Sequence, residues 1–298
     1  MSLPKKVKIV EVGPRDGLQN ESQVLATQDK ITLIEKLSET GLTNIEATSF
    51  VAKKWIPQLG DAEEVMTGLK RTDGVNYSAL VPNIQGFERA LSVNVQEVAV
   101  FTAASEAFTQ KNINCTIAES FERFAPILAL AKQKNIKVRG YVSCALGCPY
   151  QGEVAPEAVA KVVKRLYEMG CYEISLGDTI GVGTVNKVNV MLDAVMKEIP
   201  TDALAIHFHD TYGQALINIY AAMQKGIYIM DSAVAGLGGC PYAKGASGNV
   251  ATEDVLYALN GLGIETGVDL DKIVAVAHWI SEKLGKAPRS KVALAWEA

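Results

Sequence analysis

The sequence predicts a (β/α)8 barrel with an extra C-terminal helix, on three observations. Eight short, β-branched runs alternate with longer segments of helical period. Alternation this strict implies parallel strands. The first strand leads into Val12-Gly13-Pro14-Arg15-Asp16-Gly17, which does not fit the G-x-G-x-x-G turn of an open dinucleotide-binding sheet. Eight βα units without that turn point to closure.

The strands are read at 8–12, 44–49, 76–81, 97–101, 137–143, 172–176, 204–209 and 229–235. Between the first two, segment 28–40 places Ile31, Ile34, Leu37 and Ser38 near one helical face, and Gly41 follows where a left-handed cap belongs. Segment 119–133 aligns Phe121, Phe124, Leu128 and Ala131. Segment 157–169 aligns Val159, Val162, Val163 and Leu166, with Pro156 at its start and Gly170 past its end. Gly226 punctuates the approach to the eighth strand, and 270–283 reads as one more amphipathic helix on the outside. No linker-like composition interrupts the chain. The expectation is one catalytic domain over 1–298, with the barrel at about 8–266 and a helical extension at about 267–298.

With 298 residues, 48% of them hydrophobic and 21% charged, the chain can bury a large core without staples. Its net charge of −4 argues against a nucleic-acid partner, which leaves a basic footprint. No apolar run approaches the roughly 20 residues that span a bilayer. The opening MSLPKKVKIVEV lacks the apolar stretch of a signal peptide, and five cysteines is an odd number. Together these predict a cytoplasmic protein with free thiols. Cys144-x-x-x-Cys148 is not C-x-x-C, and no second cysteine pair answers it, so a structural zinc is disfavoured.

Active sites of such barrels lie at the C-terminal strand ends. Polar residues concentrate there: Glu11, Arg15 and Asp16 after the first strand, Glu46 within the second, Asp178 after the sixth, and His207 and His209 on the seventh. Residues two apart on a strand share a face, so two imidazoles converge on the interior, as metal ligands do. Hydrogen-bonded core histidines are the plainer alternative. His278, on the C-terminal helix, is read as structural. Asp16 adds a carboxylate or caps a turn, and Asn249 adds an amide oxygen or caps the helix at 251–262. Two nitrogens with oxygens suit Mg²⁺ or Mn²⁺, with Zn²⁺ or Co²⁺ possible. Arg15 either binds an anionic oxygen or pairs with Glu46 or Asp178. Asp178 is either a base or the group that orients a ligand histidine. Cys240 stands among Gly236, Gly238, Gly239, Gly245 and Gly248, the composition of a lid, where a thiol can act as acid or base.

Four segments carry a family resemblance: Gly13-Pro-Arg-Asp-Gly-Leu-Gln-Asn20, Ile45-Glu-Ala-Thr-Ser-Phe50, His207-Phe-His-Asp-Thr-Tyr-Gly-Gln214 and the glycine-rich run from Ser232 to Asn249. They resemble the 3-hydroxy-3-methylglutaryl-CoA lyases over about Lys8 to Val292. The arginine–aspartate pair and the H-x-H are shared with other metal-dependent acyl-CoA barrels; the cysteine loop is specific to the lyases. The resemblance implies a TIM barrel, a homodimer, an acyl-CoA substrate and cleavage to acetyl-CoA and acetoacetate. It implies Mg²⁺ or Mn²⁺ on Asp16, His207, His209 and Asn249, and substrate contacts from Arg15, Gln19 and Asn112. The ending Ala295-Trp-Glu-Ala298 has neither the tail cysteine nor the peroxisomal tripeptide of many animal members, which favours a bacterial cytoplasmic setting.

The expected chemistry is metal-assisted retro-Claisen cleavage. Asp16, Glu46 or His207 removes the C3 hydroxyl proton, with Glu46 favoured. Arg15 stabilises the thioester enolate, and Cys240 protonates its carbon. Rival readings are a condensing enzyme of the isopropylmalate or citramalate synthase kind, a metal-dependent ketoacid aldolase, and a non-catalytic metal-binding barrel. Lys53, Lys54 and Lys111 are candidates for CoA contact.

Overall fold

The computed structural model describes residues 3–239 and 248–296. Eight strands close into a parallel barrel in chain order: β1 (Lys8–Glu11), β2 (Asn44–Ser49), β3 (Asn76–Leu80), β4 (Glu97–Ala103), β5 (Lys137–Ser143), β6 (Glu173–Asp178), β7 (Leu204–Phe208) and β8 (Ile229–Ser232), which pairs back onto β1. Outside lie α1 (Thr27–Ser38), α2 (Ala62–Gly68), α3 (Ile84–Ser92), α4 (Glu106–Ile113), α5 (Ile117–Lys134), α6 (Pro156–Met169), α7 (Val185–Val195) and α8 (Ala215–Gln224). Three more follow the last strand: α9 (Thr252–Gly261), α10 (Leu270–Lys283) and α11 (Lys291–Ala295). The (β/α)8 barrel with C-terminal helices is the architecture expected. Among the described residues, no helix is long and apolar enough to cross a membrane.

Local chemistry sets the helix bounds. Helix α6 starts on Pro156 and stops at Gly170, whose φ of 108° a side chain would resist. Its face of Val159, Val162, Val163 and Leu166 is buried against the sheet. Removing a buried leucine such as Leu166 costs about 2–5 kcal/mol. Helix α5 begins with a capping box, in which Thr116 and Glu119 each satisfy the other's backbone amide.

The strand ends differ from expectation where side chains capture the backbone. The eighth strand stops at Ser232 instead of 235, because Ala235 takes φ 60° and the amides of Val234 and Ala235 turn to Glu11 (2.9 Å) and Glu253 (2.8 Å). The seventh stops at Phe208, and His209 bridges to Asn249 instead. The fourth runs two residues further, since Thr102 and Ala103 still pair with Val142 and Ser143.

Alternation along the strands divides interior from exterior. Arg139 and Tyr141 of β5, Ser175 of β6, His207 of β7 and Asp231 of β8 share the interior, where they bond to one another. Glu173 accepts from Arg139 at 2.7 Å and from Lys8, plugging the lower barrel with charge. Glu11 faces the other way, accepting from Thr252 at the start of α9 at 2.6 Å.

Candidate active site

The turn after β1 is wound tightly: the amides of Arg15, Asp16 and Gly17 all approach the Val12 carbonyl, at 3.2, 2.8 and 3.1 Å. Pro14 fixes its entry, and the turn aims Arg15 and Asp16 across the barrel mouth. There Asp16, His207 and His209 each offer a ligand atom, all within 4.8 Å of one another.

The immediate partners of these groups are defined. His207 Nδ1 lies 3.1 Å from Asp231 Oδ2, which leaves Nε2 facing Asp16 Oδ2 at 3.7 Å. Asn249 Nδ2 donates to Asp16 Oδ2 at 2.9 Å and to the Leu237 carbonyl at 3.2 Å. Its role as a helix cap is not taken up: Ala251 occupies that position. Among the described residues, His209 Nδ1 is buried with no hydrogen-bond partner, an orphaned donor-acceptor atom that a cation would satisfy. The donor set, two imidazoles and a carboxylate with an amide beside it, fits a divalent cation.

Charge follows the packing. Burial raises the Asp16 pKa, but Arg15 and the two histidines outweigh it and hold the carboxyl at about 2. Burial and then His207 push His209 down to about 4, so it is the neutral, ligating form. Burial opposes protonation of His207 as well, but the bond to Asp231 and the nearby Asp16 reverse this and raise its pKa.

Arg15 donates through Nε to Glu46 at 2.6 Å and through Nη1 to Asp16 at 2.5 Å. It therefore pairs with Glu46 and faces the cavity at once. Burial raises the Glu46 pKa, with Arg15 opposing. A cavity of about 1030 Å³ opens above, lined by Arg15, Asp16, Gln19, Asn112, Tyr141, His207 and His209. Lys111 and Arg123 stand on its wall with Trp55 and Phe108; Lys53 and Lys54 do not.

One role is corrected, that of Asp178 as the group that orients a histidine. Asp178 does not orient a histidine and does not line the cavity. It follows Gly177 onto the exterior face, where it accepts from the amides of Val182 (3.1 Å) and Gly183 (2.8 Å). The orienting carboxylate is Asp231. Glu46, favoured as the base, pairs with Arg15 through Oε2, and its Oε1 is buried without a hydrogen-bond partner among the described residues. Cys240 lies outside the described residues. The chain on either side of it is stitched to the site: Asp210 N donates to the Gly248 carbonyl at 2.8 Å, and Gly238 N to Glu21 at 3.2 Å. Cys144 and Cys148 are buried free thiols. His278 is exposed on α10, away from the site.

Sequence reading missed Asp231, Arg139 and Tyr141. For Asp231 and Arg139 the available signal was a charge inside an apolar strand, the same cue that singled out Glu46.

A family model described as HMGL-like matches residues 6–280. The human mitochondrial hydroxymethylglutaryl-CoA lyase is 60% identical over 99% of this chain and 90% of its own length. A hydroxymethylglutaryl-CoA lyase structure from Pseudomonas aeruginosa superposes with a TM-score of 0.97 at 59% identity, covering 99% of this chain and 98% of that one. An HMG-CoA lyase from Acinetobacter baumannii, solved with coenzyme A and 3-methylmalate, superposes with a TM-score of 0.93 at 37% identity, covering 99% and 96%.

Proposed function

The chain belongs to the HMGL-like family, and from that premise we propose that it cleaves 3-hydroxy-3-methylglutaryl-CoA to acetyl-CoA and acetoacetate. The observation that carries the reading is the convergence of Asp16, His207 and His209 beside Arg15 at the mouth of a large cavity, in a chain so similar to named lyases.

Asp16, His207 and His209 would hold the cation, joined by the Asn249 carbonyl, whose amide NH₂ is already spent on Asp16 and Leu237. Mg²⁺ or Mn²⁺ is the match for this oxygen-bearing set, and when bound it supplies a Lewis acid that lowers the pKa of the substrate hydroxyl. Asp16 is the acceptor for the hydroxyl proton. Its carboxylate reaches the cavity, as does the His207 ring, the alternative acceptor. Arg15, fixed by Glu46, presents its remaining N–H groups to the thioester oxygen and stabilises the enolate as the bond breaks. Cys240, carried by its glycine-rich loop, protonates the enolate carbon, and Gln19 and Asn112 contact the substrate.

Two further assignments go with this reading. Leu216, Ile217 and Tyr220 leave an apolar stripe exposed on α8, beside exposed Tyr212, which supports a homodimer that size-exclusion chromatography would reveal. A cytoplasmic location accords with the absence of a spanning helix among the described residues.

Incubation with 3-hydroxy-3-methylglutaryl-CoA and Mg²⁺ tests the function. Acetoacetate should form, and a chelator should abolish it. Cation-replete protein that releases no acetoacetate overturns the reading.

A further inference from the structure

We propose that Arg139 is a positioning residue for this reaction, coupling the metal-ligand side of the site to the Arg15 side through one closed ring of side chains, all buried but the half-buried Asp16. The proposal rests on the cleavage assigned above.

The ring can be followed atom by atom. From His207 Nδ1 it passes to Asp231 Oδ2 at 3.1 Å. Asp231 accepts from Arg139 through both oxygens, at 2.7 Å from Nη2 and 3.1 Å from Nη1. Arg139 Nη1 also donates to the Tyr141 hydroxyl at 2.8 Å, and that hydroxyl donates to Glu46 Oε2 at 3.2 Å. Glu46 accepts from Arg15, Arg15 donates to Asp16, and Asp16 Oδ2 lies 3.7 Å from His207 Nε2. The two branches leaving Arg139 thus end on different halves of the chemistry. One sets which nitrogen of His207 faces Asp16. The other holds the carboxylate that aims Arg15.

An arginine is needed at the junction for geometric reasons. Its planar fork serves Asp231, Tyr141 and, through Nε, Glu173 at 2.7 Å, all at once. A lysine carries the same charge on a single nitrogen and cannot span the three acceptors. The guanidinium also stacks on Tyr141, with its central carbon 4.9 Å from the ring centroid, and Arg15 lies 5.3 Å from the same ring. Tyr141 itself lines the cavity, so the ring touches the substrate space at one point between its two ends. The plainer reading is that Arg139 only neutralises buried Asp231 and Glu173. That role would be served by any cation that permits folding.

The test compares Arg139→Lys and Tyr141→Phe with the parent, each first stripped of metal. Mn²⁺ binding is followed by the electron paramagnetic resonance of the free ion, and cleavage by steady-state kinetics on 3-hydroxy-3-methylglutaryl-CoA. Arg139→Lys should weaken Mn²⁺ binding by about 10–100-fold, as loss of a ligand's supporting partner does. It should also lower kcat with KM near the parent value. Tyr141→Phe should lower kcat while Mn²⁺ affinity holds, because its branch ends on Glu46. Parent-like Mn²⁺ affinity in folded Arg139→Lys overturns the proposal, as does loss of Mn²⁺ binding in both variants alike. If Arg139→Lys does not fold, Asp231→Asn carries the test, and parent-like Mn²⁺ affinity there overturns it equally. A parent protein that binds Mn²⁺ yet releases no acetoacetate instead refutes the assigned activity, which keeps the two failures apart.

Discussion

Arg15 Nε lies 2.6 Å from Glu46 Oε2, and both side chains are buried inside the barrel. A guanidinium so anchored cannot swing away when negative charge develops beside it, and preorganisation of this kind is what makes electrostatic stabilisation effective. Arg15→Gln should therefore cut kcat by about 10²–10³-fold, the usual cost of one oxyanion donor. Mn²⁺ content should stay near that of the parent. Steady-state kinetics with metal analysis reads both, and near-normal turnover would remove Arg15 from enolate stabilisation.

His209→Ala should weaken cation binding sharply while the barrel stays folded. The His209 Nδ1 is buried and has no hydrogen-bond partner among the described residues. A calorimetric Mn²⁺ titration of the stripped variant measures the effect. Unchanged affinity would take His209 out of the ligand set.

Cys240→Ala should lose activity by about 10²–10⁴-fold, the contribution of a general acid, while retaining Mn²⁺ affinity and melting temperature. Full activity would reduce the thiol to filler in a glycine-rich loop.

Glu253 gives a pH signature of stability. Burial, opposed by the Ala235 amide, raises its pKa from 4.5 to about 8, and nearby Glu11 adds to the rise. The folded state thus binds this proton more tightly than the unfolded chain does. The associated stability is fully present below about pH 4.5 and is lost as pH rises through about 8. Glu253→Gln removes the dependence. Compared with the parent in urea denaturation, it should be of similar stability at about pH 4.5 and more stable at about pH 8.5 by about 2–4 kcal/mol. An equal difference at both pH values would mean that the carboxyl folds ionised.

Much of the fold was legible because period and punctuation are local. The strands at 44–49 and 137–143 match their expected bounds, and Gly170 ends its helix where its left-handed φ requires. His207 and His209 were legible because a two-residue spacing at a strand end already implies a shared face, and Asp16 because the first strand neighbours theirs across β8 in a closed barrel. The pairings inside the barrel were not. Which of Glu46, Asp178 and Asp231 meets which cation depends on alternation counted from the true strand ends, and one residue of register sends a side chain to the opposite face. Asp178 was misread for that reason. Asp231 lies inside the strand read at 229–235 but its partner Arg139 is 92 positions away, so the pairing left no local trace.

The seam between β1 and β8 joins groups that the ribosome makes far apart in time. Glu11 Oε1 gathers the amides of Gly13 and Val234, and Asp16 waits for histidines about 190 residues downstream. At bacterial or eukaryotic elongation speeds, that wait is on the order of 10–40 s. Throughout it, the emerging chain holds a carboxylate and a strand edge with no partner, so the N-terminal strands must remain unaggregated until the last ones arrive. A cation that needs both ends of the chain binds the finished barrel and not its precursors, which makes ion uptake a clock for the completion of folding.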